Sequence, residues 1–429
     1  MIELPLSELA GLGVLCAAPG ATGVTGVTID SRAVRPGDLF VAVGRGAVFH
    51  GAALAAGAAA TLLPDDEHEA LAALGRAVRS RSRARVIGIT GSNGKTSTKD
   101  ILAALCGPVA RTVAAEKSFN NEIGVPLTLC RVEPDTELVV LELAMRGLGQ
   151  IASLCAIAEP QVAVITAIAP AHLELLGSLE NIARDKAEIV AGLVPGGIAV
   201  VPDGVPELEP WLQRSDIEIR RCGPGAPYRV VAFEEAGSGS RVTFELAGQR
   251  LTLDWSFTSL HQAQNALAAL VAYDALGLPL GRAAEGAARL VLSAWRGEEH
   301  PLAGGGVVVN DAYNANPGSM RAALEHQARR AQGRRRLAIL GTMAELGPTA
   351  PQLHRELGRV ARELGVDELL AVGELGRHYL EDGPPGSWAA DADAAIAQAR
   401  TVLRPGDHVL VKASRSVGLE HVADALRGI

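Results

Sequence analysis

The most constraining stretch of this 429-residue sequence is VIGITGSNGKTST, residues 86–98. Val86, Ile87 and Ile89 make an apolar, β-branched run that reads as a buried strand, Gly91 to Gly94 cannot continue it, and from Thr96 onward the residues suit a helix. A strand, a glycine loop and a helix in that order bring backbone N–H groups, the positive helix end and the Lys95 ammonium into one small volume suited to a polyphosphate. Gly91, Ser92, Asn93, Gly94, Lys95, Thr96 and Ser97 are therefore candidate nucleotide-binding residues, with the Thr96 hydroxyl available to Mg²⁺. The loop departs from the general phosphate-loop pattern, because Ile89 stands five residues before Gly94 where a glycine is usual.

A chain of this length holds two to four domains, and 48% hydrophobic with 21% charged residues describes an ordinary globular protein. The net charge of −8 argues against a nucleic-acid partner, so local features must hold any anionic ligand. Cys16, Cys106, Cys130, Cys155 and Cys222 are odd in number and without a C-x-x-C pair, which fits reduced thiols of a cytoplasmic protein. The start, MIELPLSELA, lacks the basic residues of a signal peptide. Residues 47–64, rich in Ala and Gly, read as a packed helix and not as a membrane span.

Three regions follow in order. Residues 1–83 contain TGVTIDSRAVRPGDLFVAV, a strand, a turn at 35–38 and a second strand; Asp30, Ser31 and Arg32 between them make either a solvated turn or a loop for a nucleotide. The charged run 76–85 reads as a linker or helix face and marks the first boundary. Residues 84–297 alternate strands (86–90, 138–143, 162–168, 198–201) with helical segments, which predicts a mainly parallel α/β sheet. Residues 298–429 repeat the pattern with strands at 306–310, 336–341, 368–373 and 408–412.

Ligands gather at the carboxyl ends of such strands. Glu142 ends one strand and His172 lies just beyond another, so both can face the glycine loop; a helix-capping carboxylate and a structural histidine are the alternatives. Lys186 in ENIARDKAEIV reads by spacing alone as an exposed helical lysine paired with Glu180 or Asp185. Asn120 and Asn121 in KSFNNEIGVP suit a ligand-binding loop or ordinary turn chemistry. His261 and Asn265 are four apart and share a helix face, and DAYNANPGS, 311–319, follows a strand with an unusual density of polar groups.

Taken together, TGSNGKTST, SFNNEIGVP, LELAMRGLGQI, AHLELLGS, DKAEI, the His261/Asn265 segment, DAYNANPGSM, LGTMAELG and VLVKASRSVGLE resemble the Mur ligases, and the resemblance covers essentially the whole chain. It implies an α/β protein of three domains: a small N-terminal α/β uridine-nucleotide-binding domain at 1–83, a central P-loop ATPase domain with a mainly parallel sheet at 84–297, and a C-terminal Rossmann-like domain at 298–429. It also implies an ATP- and Mg²⁺-dependent amide ligase that adds D-alanyl-D-alanine to UDP-N-acetylmuramoyl-tripeptide through an acyl phosphate, as a cytoplasmic monomer.

Carried over by position, Lys95 and Thr96 would bind phosphates and metal, and Glu142 and His172 would ligate metal. Lys186 would be carbamylated into a further metal ligand. Asn265 would lie near the adenine, Asp311 near the ribose and Arg296 near the γ-phosphate, with Tyr313 and Asn314 also binding the nucleotide. Asp30, Ser31 and Arg32, with Asn120 and Asn121, would hold the uridine substrate. Lys95, Glu142, His172 and Lys186 are thus the expected catalytic set. Keeping the acyl phosphate from water predicts that the C-terminal domain closes over the central one.

The chain departs from the family pattern at Ala167 and Ala169, in place of Asn and Gly before the AHL motif, and at Gln150 and Thr342. Two alternatives stay open: an amino-acid-adding branch of the family, and a catalytically silent nucleotide-binding scaffold, which Ala167 and Ala169 favour.

Overall fold

The computed structural model describes residues 1–116, 118–145, 147–170 and 173–427. Its strands, in chain order, are β1 (Leu4–Pro5), β2 (Gly13–Ala17), β3 (Gly23–Val24), β4 (Gly26–Thr28), β5 (Asp38–Val41), β6 (Ala60–Pro64), β7 (Arg85–Thr90), β8 (Thr112–Ala114), β9 (Leu138–Glu142), β10 (Val162–Ile165), β11 (Ile198–Pro202), β12 (Glu218–Cys222), β13 (Tyr228–Ala236), β14 (Gly239–Leu246), β15 (Gln249–Trp255), β16 (Glu298–Pro301), β17 (Val307–Asn310), β18 (Arg336–Gly341), β19 (Glu368–Val372), β20 (Gly386–Ala389) and β21 (His408–Lys412).

They form three main sheets, ordered β2-β6-β5-β4, β15-β14-β13-β12-β11-β10-β7-β9-β8 and β16-β17-β21-β18-β19-β20, with β1 pairing β3 apart. The fold is therefore three α/β units, and the two larger ones place parallel strand ends toward the site.

The central strands are apolar throughout because both sheet faces are covered. Ile87, Ile89, Val140 and Val164 pack with Ile101, Leu105 and Leu267 on one side, while Val86, Val139, Leu141 and Ile165 pack with Ile182, Ile189 and Leu154 on the other. Helix Glu67–Arg81 joins that second layer through Leu71 and Leu74, so the N-terminal unit shares a core with the central sheet. Arg79, within the charged run, is buried there and donates its Nε–H to the Ala158 carbonyl at 2.9 Å.

Two expectations are corrected. Residues 47–64 are not one helix: a helix covers only His50–Ala55, Gly57 turns at φ +103°, and β6 begins at Ala60, wedged between β2 and β5. The strand expected over 162–168 stops at Ile165, because residues 166–169 leave the sheet to pair with the glycine loop. The central sheet also carries an antiparallel extension, β13 to β15, turned through Gly237 at φ +62° and through Ala247 and Gly248 at φ +50° and +94°. Among the described residues no helix is long and apolar enough to cross a membrane. All five cysteines are free thiols; burial pushes the pKa values of Cys106, Cys130 and Cys155 up to about 12.

Candidate active site

The parallel register aims the chemistry at one edge. Glu142 pairs with Ile89 across β9 and β7, and Ile165 pairs with Thr90 across β10 and β7, so the chain after each strand emerges beside the glycine loop. Gly91 adopts φ +142° where a Cβ would lie 2.1 Å from Thr166 Oγ1, and Gly94 adopts φ +80° where a Cβ would lie 2.2 Å from Asn265 Oδ1. Only glycine fits at either place, which is how a loop without the usual first glycine still closes.

Helix Lys95–Cys106 starts at once after Gly94. The Thr166 hydroxyl bonds the Asn93 carbonyl, the Ser92 N–H donates to Ala167 O at 2.8 Å, and the Ala169 N–H donates to Ser92 Oγ at 3.0 Å. The two alanines that depart from the family pattern thus hold the loop by main-chain atoms, which their side-chain identity does not alter.

Lys95 Nζ donates to the Gly91 carbonyl at 2.7 Å. Burial lowers its pKa to about 8; Lys186 and Arg296 nearby push the same way and Glu142 opposes them. Glu142 is buried and gripped at both oxygens: Thr96 Oγ1 donates at 2.7 Å and Asn120 Nδ2 at 2.7 Å. Arg296 donates to the same Thr96 Oγ1 at 2.8 Å, while its Nε is buried without a partner.

Lys186 is not the exposed lysine that spacing alone suggests. It is 2% exposed on helix Leu179–Ala191, with Nζ 3.2 Å from Asp185 Oδ2, and burial lowers its pKa while Asp185 opposes the shift. The other oxygen of Asp185 is buried without a partner. Lys95 and Arg296 stand here at the start of a helix, whose N–H groups add partial positive charge, which suits a polyanion.

The C-terminal unit supplies the opposite wall. Asn310 pairs with Val411, so the next residues on each strand, Asp311 and Lys412, meet: Lys412 Nζ lies 2.6 Å from Asp311 Oδ2 and 2.9 Å from Asn314 O. Asn316 caps helix Pro317–Arg330 and reaches over to donate to Asn93 Oδ1 at 2.5 Å. Tyr313 bonds Ser118 by its hydroxyl and stacks under Arg296, 4.0 Å from ring centre to guanidinium carbon. On helix Leu260–Ala275, Asn265 Nδ2 donates to Gln262 Oε1 at 2.9 Å, and Gln262 donates to Ser97 Oγ at 3.2 Å. Half-buried His261 on that helix, its pKa lowered by desolvation to about 4, stays neutral.

The structure therefore brings Lys95, Thr96, Ser97, Asn120, Glu142, Lys186, Asn265 and Arg296 around one loop, with Tyr313 against Arg296, while Asp311 and Asn314 bond Lys412 within the C-terminal unit. Asn121 does something else: its Oδ1 accepts the Gly124 N–H at 3.0 Å and starts helix Gly124–Leu129. Asp30 and Arg32 stay in their own turn, with Arg32 Nε–H on Asp30 Oδ1 at 2.9 Å and beside half-buried Ser31. The Arg32 guanidinium holds the Asp30 pKa down to about 2. His172 and Lys117 lie outside the described residues.

Lys412, Asn316, Ser118 and Gln262 were missed as site residues. A lone lysine closing the apolar run HVLVK and an Asn before Pro317 were the available signals. Among the described residues no three His, Cys, Asp or Glu stand together as a ready-made metal site. Thr96 Oγ1 and the Glu142 carboxylate nevertheless present two hard oxygens at one buried point, which fits Mg²⁺.

Comparison with known proteins agrees with this fold. Residues 89–273 match the Mur ligase middle domain and residues 295–415 the Mur ligase, glutamate ligase domain. The chain is 35% identical to the UDP-N-acetylmuramoyl-tripeptide--D-alanyl-D-alanine ligase of Mycobacterium tuberculosis, covering 99% of this chain and 98% of that one. A crystal structure of MurF from Acinetobacter baumannii superposes with a TM-score of 0.88 at 27% identity over 99% of both chains. MurF from Thermotoga maritima in complex with ADP gives 0.83 at 28% identity, over 94% of this chain and 97% of that one. This chain belongs to the Mur ligase family, in its D-alanyl-D-alanine-adding branch.

Proposed function

We propose that the chain is an ATP-dependent amide ligase joining D-alanyl-D-alanine to UDP-N-acetylmuramoyl-tripeptide in the cytoplasm, within peptidoglycan precursor synthesis. The observation that carries the reading is the convergence of Lys95, Thr96, Glu142 and Arg296 on one glycine loop, in a chain alike over its whole length to ligases of that name. The working units are 1–83 for the uridine substrate, 84–297 for ATP and 298–429 as the domain that covers it.

An amide does not form from a free carboxylate and an amine at neutral pH, so the carboxylate must first become a better electrophile. The substrate carboxylate attacks the γ-phosphoryl of ATP, ADP leaves, and the acyl phosphate is attacked by the amine of D-alanyl-D-alanine, expelling phosphate. Lys95 and the loop N–H groups spread the charge of the phosphoryl in transit, and the free N–H of Arg296 completes that cage from the domain junction. Bound Mg²⁺ would supply Lewis-acid charge at the phosphates, held by Thr96, Glu142 and, by resemblance, His172 and Lys186.

Lys186 suits carbamylation: with its ammonium disfavoured by burial, the neutral amine adds to CO₂, loses a proton and becomes an anion. Asp311, Tyr313, Asn314 and Asn265 face the nucleoside, and Asp30, Ser31, Arg32, Asn120 and Asn121 are assigned to the uridine substrate. The Asn316–Asn93 and Tyr313–Ser118 contacts support a C-terminal unit that shuts water from the acyl phosphate.

The test is phosphate release from ATP. Release that needs both UDP-N-acetylmuramoyl-tripeptide and D-alanyl-D-alanine is expected; release with a single amino acid in place of the dipeptide would move the chain to another branch. Lys186→Ala is expected to abolish turnover, with partial recovery by short carboxylic acids, and full activity of that variant would remove the carbamate.

A further inference from the structure

The dipeptide that links the central and C-terminal sheets, Trp295 and Arg296, is gripped from the C-terminal side at both residues. Trp295 has φ +61°, a left-handed conformation that a bulky side chain rarely adopts. What holds it there is visible. The Arg415 guanidinium carbon lies 4.0 Å from the centre of the Trp295 ring, Glu420 accepts from Arg415 at 2.8 Å, and the Trp295 carbonyl accepts the Tyr313 N–H at 3.2 Å.

The next residue carries the consequence. Arg296 donates to Thr96 Oγ1 at 2.8 Å, lies over the Tyr313 ring at 4.0 Å, and keeps a buried Nε without a partner. Arg415 follows β21 and Tyr313 follows β17, so two separate loops of one unit fix one short hinge.

We propose that Trp295 and Arg415 form a latch that sets Arg296 against the terminal phosphoryl of bound nucleotide; both are positioning residues for the reaction. The inference rests on the nucleotide-binding reading above. A left-handed residue stays so only while its surroundings over-determine it. If the C-terminal unit withdraws, Arg415 and Tyr313 go with it, Trp295 relaxes, and the backbone rotation carries Arg296 away from Thr96. Docking of the unit and arming of the site are then one event. An ordinary structural stack would instead affect stability, and would treat diphosphate and triphosphate alike.

The experiment titrates the full-length chain with a non-hydrolysable ATP analogue and with ADP, both with Mg²⁺. Trp295→Ala and Arg415→Met should each weaken the analogue about tenfold, the scale of one charge-assisted contact, while ADP stays within about twofold. Trp295→Phe should keep the wild-type ratio and Arg415→Lys should recover part of it. In an Arg296→Gln background, Trp295→Ala should cost nothing further.

Equal losses for both nucleotides, no loss for either, or a full Trp295→Ala effect without Arg296 would overturn the latch. Should Trp295→Ala melt early, Arg415→Met, at a half-exposed side chain, carries the test alone. Wild-type protein that binds neither nucleotide would instead sink the nucleotide reading itself.

Discussion

Two polar clusters sit at the junction of the central and C-terminal units, and they are built to opposite ends. In one, Glu299 on β16 accepts from Thr258 at 2.8 Å and from Arg330 Nη2 at 3.0 Å, while Arg330 also donates to Gly237 O at 2.8 Å. Burial acts to raise the Glu299 pKa, but His326 3.9 Å away, with the hydrogen bonds from Arg330 and Thr258, overcomes it and holds it at about 2. In the other, Lys95 Nζ donates to the Gly91 carbonyl, and buried Arg296 Nε and Asp185 Oδ1 have no partner. The first cluster pairs both oxygens of its carboxylate and joins two units, although His326 Nδ1 stays buried without a partner. The second keeps donors and charge unspent, as a site awaiting a polyanion must.

The sharpest way to break this contrast is to remove one cation from each cluster. Lys95→Ala should lower kcat by about 10³-fold with little change in melting temperature, since the lost charge acts on the transition state. Arg330→Ala should do the reverse: about 2 kcal/mol of stability lost, with kcat nearly unchanged, because it strands a partly buried carboxylate. Thermal melts and steady-state kinetics on both variants decide it; matching phenotypes would erase the distinction.

Acidity separates the clusters further. Glu299 is depressed, so its stabilising effect is complete above its ordinary pKa of 4.5 and is lost as pH falls through about 2. The Arg330→Ala penalty should therefore shrink in acid melts. Lys95 is also depressed, to about 8, but as a cation its sign differs: the native state binds fewer protons than the unfolded chain between about 8 and 10.5, so stability rises with pH over that window. Bound phosphate would restore the charge. ADP affinity should hold up to about pH 8 and then fall by up to tenfold per unit, with proton uptake on binding visible by calorimetry in buffers of different ionisation enthalpy. Affinity flat to pH 10 would place Lys95 away from phosphate.

Much of this arrangement is legible in the chain. A strand that ends at a glycine, a Glu or a polar loop tells its own boundary, which is why 86–90, 138–143 and 336–341 match the observed strands to within a residue. Parallel topology then places Glu142, Asp311 and Lys95 on sheet ends without further information. Other features depend on contacts that local sequence does not encode. Lys186 has the spacing of a surface lysine, and tertiary packing buries it. Asn120 and Asn121 are identical in type yet one grips Glu142 and the other starts a helix. Residues 47–64 have no period because alanine and glycine suit either state. In the β13–β15 extension, β14 alternates buried Val242, Phe244 and Leu246 with half-buried or exposed residues while β13 buries none, a mixed signal beside the continuously buried central strands.

The most direct measurement follows oxygen. With the acceptor carboxylate of the uridine precursor enriched in ¹⁸O, turnover with ATP and D-alanyl-D-alanine should release phosphate carrying one ¹⁸O, because that carboxylate attacks the phosphoryl and later leaves with it. Phosphate formed at the same rate without the label would mean that water, not the peptide acid, takes the phosphoryl, and would contradict the ligase.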